Sequence, residues 1–329
     1  MPETRISEGI IRALIDDLSR AGIDCAGDQT TRILYSTDAS IYQIMPVGVV
    51  WPKDTSQVSA AVEIARKYQV SVLPRGGGSS LAGQAIGEAL ILDFSRFMDQ
   101  VLDINPQERT VKVQPGVVLG SLNRQLAAEG LGFGPDPASA DRATLGGVLG
   151  NNATGAHSIL YGMAHDHLLE AETVLSDGSL AVLRESANGL SQKGNSLEGA
   201  IYQGLPAILD QYQEPIREKY PRTFRNVAGY NLNILARQKN LNPATLLAGS
   251  EGTLGIITAA TLNLVPLPTY KTLYLIHFQD LGQALSVVPE ILDTNPSAIE
   301  LIDSMLIRLA RANPAYTSLL DAIEGDPEA

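Results

Sequence analysis

Residues 74–84 read PRGGGSSLAGQ and follow directly on the short apolar run at 70–73. Gly76, Gly77 and Gly78 accept positive φ and carry no Cβ, so successive backbone N–H groups can turn toward one anion and approach it closely. Hydrogen bonds to a charged acceptor contribute roughly 1.5 to 3 kcal/mol each. A few such amides therefore suffice for a diphosphate, with Arg75 as the nearby cation. Two familiar phosphate loops are excluded by the residues at their required positions. Leu81 stands where a dinucleotide-binding GxGxxG needs its third glycine, and Gln84 and Ala85 replace the Lys and hydroxyl residue of a P-loop. An ordinary Gly/Ser surface loop has the same composition, so other segments must decide.

The remaining chemistry-bearing side chains are few. The chain has four histidines, His157, His165, His167 and His277. His165 and His167, in the run HDH, would face one side of a strand and offer two metal ligands, but no third lies nearby, and packing explains them equally well. No metal site is expected. Cys25 is the only cysteine, which excludes a disulfide framework and any cysteine-ligated zinc or iron–sulfur centre within the chain. It fits a reducing, cytoplasmic setting.

The elements that must position these residues follow from composition and periodicity. At 329 residues, 44% of them hydrophobic and with mean hydropathy +0.04, the chain has material for about two packed domains. Its net charge of -12 disfavours nucleic acid and anionic membrane as partners. No stretch is long and apolar enough to span a bilayer. Ile6, Ile10, Ile11, Leu14 and Leu18 share one face of an N-terminal helical segment within 1–31. GVVWP (48–52) reads as a strand, Val58, Ala61, Val62, Ala65 and Tyr68 as a helix capped at Asp54 or Thr55, and VSVLP (70–74) as a second strand parallel to the first. ALILDF (89–94) adds a strand. Two more meet near Asn105 and Pro106, closing a first lobe near 105, and a helix ending at Gly130 follows. Residues 132–162 show no sustained periodicity, which in a compact domain points to ordering by a ligand or by contacts. LLAGSEGTLGIITAATLNLVPLP (246–268) couples a glycine turn to a β-branched strand.

PRGGGSSLAGQ, then GPDPAS with ATLGG and NNATG, then RNVAGYNL (225–232) and GSEGTLGIIT (249–258), in that order, resemble the FAD-linked oxidases of the vanillyl-alcohol-oxidase type. The likeness is particular to the branch of the glycolate oxidase FAD subunit and the D-lactate and D-2-hydroxyglutarate dehydrogenases, and covers roughly residues 30–329. It implies an α+β fold: a two-lobed PCMH-type FAD-binding domain at 32–269, with lobes of about 32–105 and 106–269, and an incomplete α+β cap at 270–329.

The resemblance also implies roles. Pro74, Arg75, Gly76, Gly77, Gly78, Ser79 and Ser80 with Gly83 and Gln84 would hold the diphosphate. Pro135, Asp136, Thr144, Gly147, Asn151, Ala153 and Gly155 would line the diphosphate and flavin end, and Glu251, Gly255 and Ile257 would complete the pocket. Relatives that attach FAD through a histidine after these glycines have it where this chain has Ser79, so FAD is expected to be non-covalent. The implied activity is FAD-dependent oxidation of a small D-2-hydroxy acid, with electrons leaving to a partner or iron–sulfur domain outside this chain, cytoplasmic or peripheral to the inner membrane through that partner. A non-catalytic FAD-binding assembly subunit of a glycolate-oxidase-like complex is the alternative. No catalytic residue is identifiable. His157 follows NNATG and would sit near the flavin. In residues 270–329, a strand at 270–278, a helix at 281–292 and a strand-to-helix stretch at 297–313 supply only Arg308, Arg311 and His277, too little to roof a flavin.

Overall fold

A computed structural model describes residues 6–186, 194, 196–316, 320 and 322–329. The first lobe contains α1 (Glu8–Arg20), β1 (Asp24–Ala26), α2 (Gln29–Leu34), β2 (Gly48–Trp51), α3 (Thr55–Lys67), β3 (Val72–Arg75) and β4 (Leu90–Asp93). α1 begins where Ser7 accepts the Ile10 N–H, and it buries Ile11, Leu14 and Leu18, spaced as one helical face. α3 is capped by Asp54, which accepts the Gln57 N–H at 2.9 Å, and buries Val58, Ala61, Val62 and Ala65. These side chains pack on β2 and β4, where each fully buried aliphatic residue contributes roughly 1.5 to 3 kcal/mol.

The four strands lie in the order β1-β2-β4-β3. β2 and β3 are parallel, as the crossover through α3 requires, but both pair with β4, which inserts between them. The phosphate-loop candidate therefore leaves an edge strand. The N-terminal segment is integral to this lobe, since β1 pairs with β2 and α1 supplies core.

The second lobe is built from β5 (Val101–Asn105), β6 (Thr110–Val113), α4 (Leu119–Leu126), β7 (Leu131–Gly132), α5 (Leu145–Gly150), α6 (Ser158–Tyr161), α7 (Ala164–His167), β8 (Leu168–Val174), β9 (Leu180–Arg184), α8 (Leu197–Gln211), α9 (Gln213–Lys219), α10 (Leu232–Leu235), β10 (Ile256–Asn263) and β11 (Val265–Pro266). Its main sheet is antiparallel throughout, in the order β5-β6-β10-β8-β9. β5, placed by sequence at the end of the first lobe, belongs to this sheet because it pairs with β6. His165 and His167 lie on the short helix α7 and not on a strand. Both are buried.

The lobes share contacts beyond their loops. Val174 and Ile256 from the second sheet enter the first lobe's core, and Ser59 of α3 donates to the Gly178 carbonyl in the turn between β8 and β9.

Beyond β11 the chain forms α11 (Leu281–Ser286), α12 (Val288–Leu292) and α13 (Ser304–Arg311). Three sequence expectations fail here. Residues 270–278 form no strand, since no extended neighbour lies alongside; only Phe278 exchanges backbone bonds with Glu328 and Ala329. The helix expected over 281–292 breaks in two, and Pro289, lacking an N–H, cannot continue α11. Residues 297–303 likewise contain no strand.

Candidate functional site

The loop after β3 is fixed from beneath by Arg75. Its guanidinium lies 5.2 Å over the Tyr35 ring and donates to the carbonyls of Tyr35 at 3.2 Å, Ala85 at 3.1 Å and Thr37 at 2.9 Å. Burial outweighs the nearby carboxylates and lowers the Arg75 pKa from its ordinary value. Arg75 is thus a structural clamp, with three of its N–H bonds already on backbone carbonyls. Above it, Gly78 accepts the Ala39 N–H through its carbonyl at 3.0 Å and has φ +62°, so its amide turns away from the path of the strand. Among the described residues, the backbone N–H groups of residues 76–81 have no acceptor within the chain.

The second wall comes from residues 142–155. Gly76 and Gly77 meet it so closely that a Cβ on Gly76 would fall 1.9 Å from Thr144 Oγ1, and one on Gly77 would fall 2.3 Å from the Arg142 carbonyl oxygen. These two glycines serve contact between lobes, where any side chain would force the walls apart. Thr144 is buried, and its Oγ1 has no hydrogen-bond partner. Asn152 turns the chain at φ 49°, and its Oδ1 accepts the His165 N–H at 2.9 Å and lies 3.1 Å from His165 Nδ1. His167 Nε2 lies 2.7 Å from the Tyr161 carbonyl. The two histidines brace the turn from behind, and among the described residues no group of three or more His, Cys, Asp or Glu side chains is placed to hold a metal ion.

The third wall is the turn before β10. Gly249 N–H bonds to Leu149 and Glu251 N–H to Gly150, each at 3.0 Å, while Gln84 reaches from the first lobe to Glu251 Oε1 at 3.3 Å.

Together these walls enclose a cavity of about 550 Å³, within the range of pockets that take an organic ligand. Of the residues singled out from sequence, Pro74, Arg75, Gly76, Gly77, Gly78, Ser79, Ser80, Gln84, Thr144, Gly147, Asn151, Ala153, Glu251, Gly255 and Ile257 line it. Gly83, Pro135, Asp136 and Gly155 do not. Gly83 packs on Tyr42, while Asp136 faces His157 and closes on Gly155. His157 and His277 are outside the lining, and Arg311 is bonded to Asp326 and the Gly325 carbonyl. Lining residues that sequence reasoning missed include Leu81, Pro137, Ser139, Gly150, Thr154, Ser250 and Gly252, all contiguous with the motifs, and Phe94 and Pro115, which no motif marks.

A row of amides without acceptors and an unpartnered buried hydroxyl lie at a cavity where the two lobes meet. Residues 46–184 match the FAD binding domain family. The chain is 32% identical over 341 residues to D-2-hydroxyglutarate dehydrogenase of Pantoea ananatis, an alignment that takes in 100% of this chain and 33% of that enzyme. It is 30% identical over 277 residues to glycolate oxidase subunit GlcD of Bacillus subtilis, covering 83% of this chain and 49% of the subunit. Alkyldihydroxyacetonephosphate synthase superposes with a TM-score of 0.65 at 21% identity, over 99% of this chain and 55% of the synthase. The chain spans a third to a half of the length of these curated relatives. No helix among the described residues is long and apolar enough to cross a membrane.

Proposed function

We propose that the cavity holds FAD non-covalently and that the chain serves a dehydrogenase oxidising a small D-2-hydroxy acid. The observation that carries the proposal is the run of unpaired N–H groups at 76–81 in a loop that lines the cavity and packs against Thr144, whose buried Oγ1 is also unpartnered. With Arg75 engaged by carbonyls, the diphosphate would be held mainly by these amides, joined by the Ser79 and Ser80 hydroxyls and Gln84. Gly147, Asn151 and Ala153 would border the flavin end and Glu251, Gly255 and Ile257 the far wall. No His or Cys lines the cavity among the described residues, which supports non-covalent attachment. FAD, when bound, supplies a two-electron acceptor for hydride.

The likeness to D-2-hydroxyglutarate dehydrogenase and to GlcD supports the hydroxy-acid class. Electrons would leave to a partner or iron–sulfur domain beyond this chain, at the cytoplasmic side of the inner membrane, since Cys25 alone holds no cluster. Residues 270–316 expose Tyr270, Leu273, Tyr274, Met305, Leu306 and Leu309, apolar side chains that suit a cap completed by further structure. The chain alone is therefore expected to bind FAD and turn over hydroxy acids poorly. Purified protein should be yellow and release FAD on acid precipitation; colour retained on the polypeptide would overturn non-covalent binding, and colourless protein that takes up no added FAD would overturn the site. The second reading, an FAD-binding assembly subunit, uses the same cavity. Anaerobic mixing with glycolate, D-lactate, D-malate and D-2-hydroxyglutarate separates the two when the flavin bound to this chain is followed, because only a dehydrogenase bleaches its own flavin.

A further inference from the structure

The start of α7 is bonded to the stretch 151–153, of which Asn151 and Ala153 line the cavity. The Ala164 N–H donates to the Ala153 carbonyl at 3.1 Å, and the His165 N–H donates to Asn152 Oδ1 at 2.9 Å. The His165 ring adds a contact: its Nδ1 lies 3.1 Å from that same Oδ1, and its Nε2 lies 3.2 Å from Asp166 Oδ1. The side chain is 3% exposed, so these groups and not solvent must satisfy it.

The chemistry of the two partners fixes the charge of the ring. A backbone N–H can only donate, so the Asn152 atom that receives it is the oxygen, and the amide cannot be turned round. Its Nδ2 is left buried without a partner, as that orientation entails. Nδ1 of His165, facing the same oxygen, therefore carries a proton. Nε2 faces a carboxylate whose other oxygen accepts the Met163 N–H at 2.8 Å. Burial would raise the Asp166 carboxyl, yet its bonds from His165 and Met163 hold it below the usual range, so this group is the anion. Nε2 must be a donor too. An imidazole that donates from both nitrogens is an imidazolium.

His167, two residues on, is in the opposite state. Its Nε2 faces the Tyr161 carbonyl at 2.7 Å and so carries the proton, while Nδ1 is buried with no partner and keeps its lone pair. One turn of helix thus holds a charged and a neutral histidine. The elements that pack most on α7, α5 and the turn Pro243–Leu246, bring no titratable side chain. The titratable neighbours of His165 are Asp166 and His167 on its own helix.

We propose that His165 is a positioning residue for the cavity, an imidazolium strung between Asn152 and Asp166 that fixes the 151–153 wall, and that loss of its proton loosens this wall and releases the cofactor. A neutral ring donates to one of its two acceptors and not both, so deprotonation sets Asn152 or Asp166 free. The release of cofactor rests on the FAD reading above; the charge and the bracing do not.

The test follows both histidines by nitrogen-15 NMR of the full chain across a pH series, with and without FAD. The series should contain a range in which His165 carries protons on both ring nitrogens while His167 carries one, on Nε2 alone. In FAD-free protein the backbone amide shifts of Asn152 and Ala153 should move with the same midpoint as the His165 ring. With FAD added, its dissociation should quicken by about tenfold or more across that transition, as expected when a hydrogen bond from a charged group is lost. Asp166→Asn removes the anion and should shift the ring transition and the release of FAD to lower pH together. His165→Gln keeps a neutral donor and should leave release insensitive to pH over the same range; Asp166 is half exposed, so its variant decides the matter if His165→Gln does not fold. Histidines that titrate together, 152–153 amides that ignore the His165 transition, or FAD release that ignores it would overturn the proposal. A chain that takes up no FAD but shows the linked ring and amide transitions would instead overturn the cofactor reading and support the bracing role.

Discussion

Arg75 and Tyr35 act as one clamp beneath the glycine loop: the guanidinium covers the phenol ring and bonds to the same residue's carbonyl, while the Tyr35 hydroxyl donates to Asp93 Oδ2 at 2.5 Å and accepts from Trp51 Nε1 at 2.9 Å. Asp93 ends β4 directly opposite Arg75 in the ladder. The strand pair, the aromatic ring and the loop are therefore tied at a single point. Tyr35→Phe removes the hydroxyl and strands two polar partners, at a cost of about 1 to 3 kcal/mol. The urea midpoint should fall accordingly, and FAD should dissociate faster as the loop loosens. An unchanged midpoint would show that the clamp carries no stability.

The same hydroxyl makes a prediction in pH. Burial, and then the Asp93 carboxylate, push the Tyr35 phenol up to about 12, above the usual tyrosine value near 10. A raised value means that the folded state favours the protonated phenol. Its contribution is complete below pH ~10 and is lost as pH rises through about 12. The Tm difference between wild type and Tyr35→Phe should thus be constant at neutral pH and narrow across that alkaline window. A difference that stays flat throughout would contradict the assignment.

Gly76→Ala tests the seam between lobes. The new methyl meets Thr144 Oγ1 at a separation no packed pair tolerates, and overpacking of this kind costs roughly 1 to 3 kcal/mol. FAD per chain should drop together with stability. Gly78→Ala should also be harmful but for another reason, since φ +62° and the Arg75 Nη2 atom 2.7 Å from the new Cβ both oppose a side chain. Flavin stoichiometry by absorbance and unfolding by circular dichroism measure both variants.

Asn152→Ala removes the acceptor for the buried His165 N–H and leaves a non-glycine residue at φ 49° without the side chain that tolerates it. The two effects together predict a loss of about 2 to 4 kcal/mol. Amide exchange at His165 should accelerate in the variant; protection equal to wild type would place the stabilising contact elsewhere.

On α13, Leu309 is exposed and Ile307 is buried. Leu309→Gln should change the stability of this chain by no more than ~0.5 kcal/mol, whereas Ile307→Ala should cost about 2 kcal/mol or more. Thermal unfolding distinguishes them, and equal effects would mean that the helix is packed on its other face.

Much of the first lobe was legible because its signals are local. Asp54 caps α3, the apolar residues of α3 recur at helical spacing, and the glycines stand at the end of a short apolar strand. The three glycine-dense segments likewise marked most of the cavity. What sequence could not show depends on pairing across distance. The insertion of β4 between β2 and β3 follows from which strand edges find each other, and the transfer of β5 to the second sheet has the same cause. The clamp on Arg75 reaches carbonyls up to 40 residues away, so the residue reads as a free cation until its neighbours are placed. Residues 270–278 are rich in the apolar and aromatic side chains that strands favour, yet a strand needs an edge to join. His165 and His167 reverse the error: two residues apart in a short run, they suggest one face of a strand, whereas a single helical turn points them to different neighbours.

The contact of Gly76 and Gly77 with Thr144 and Arg142 bears on how the cofactor gets in and out. Main chain from one lobe touches the other with no room for even a methyl group, and Val174 and Ile256 are embedded in the opposite core. The two halves therefore do not swing like jaws. Loading and escape through a partial unravelling of one wall would have the kinetics of local unfolding. Flavin exchange should then speed up with small doses of urea well before global denaturation, and the holoprotein should be a long-lived species whose lifetime is set by how often the seam breathes.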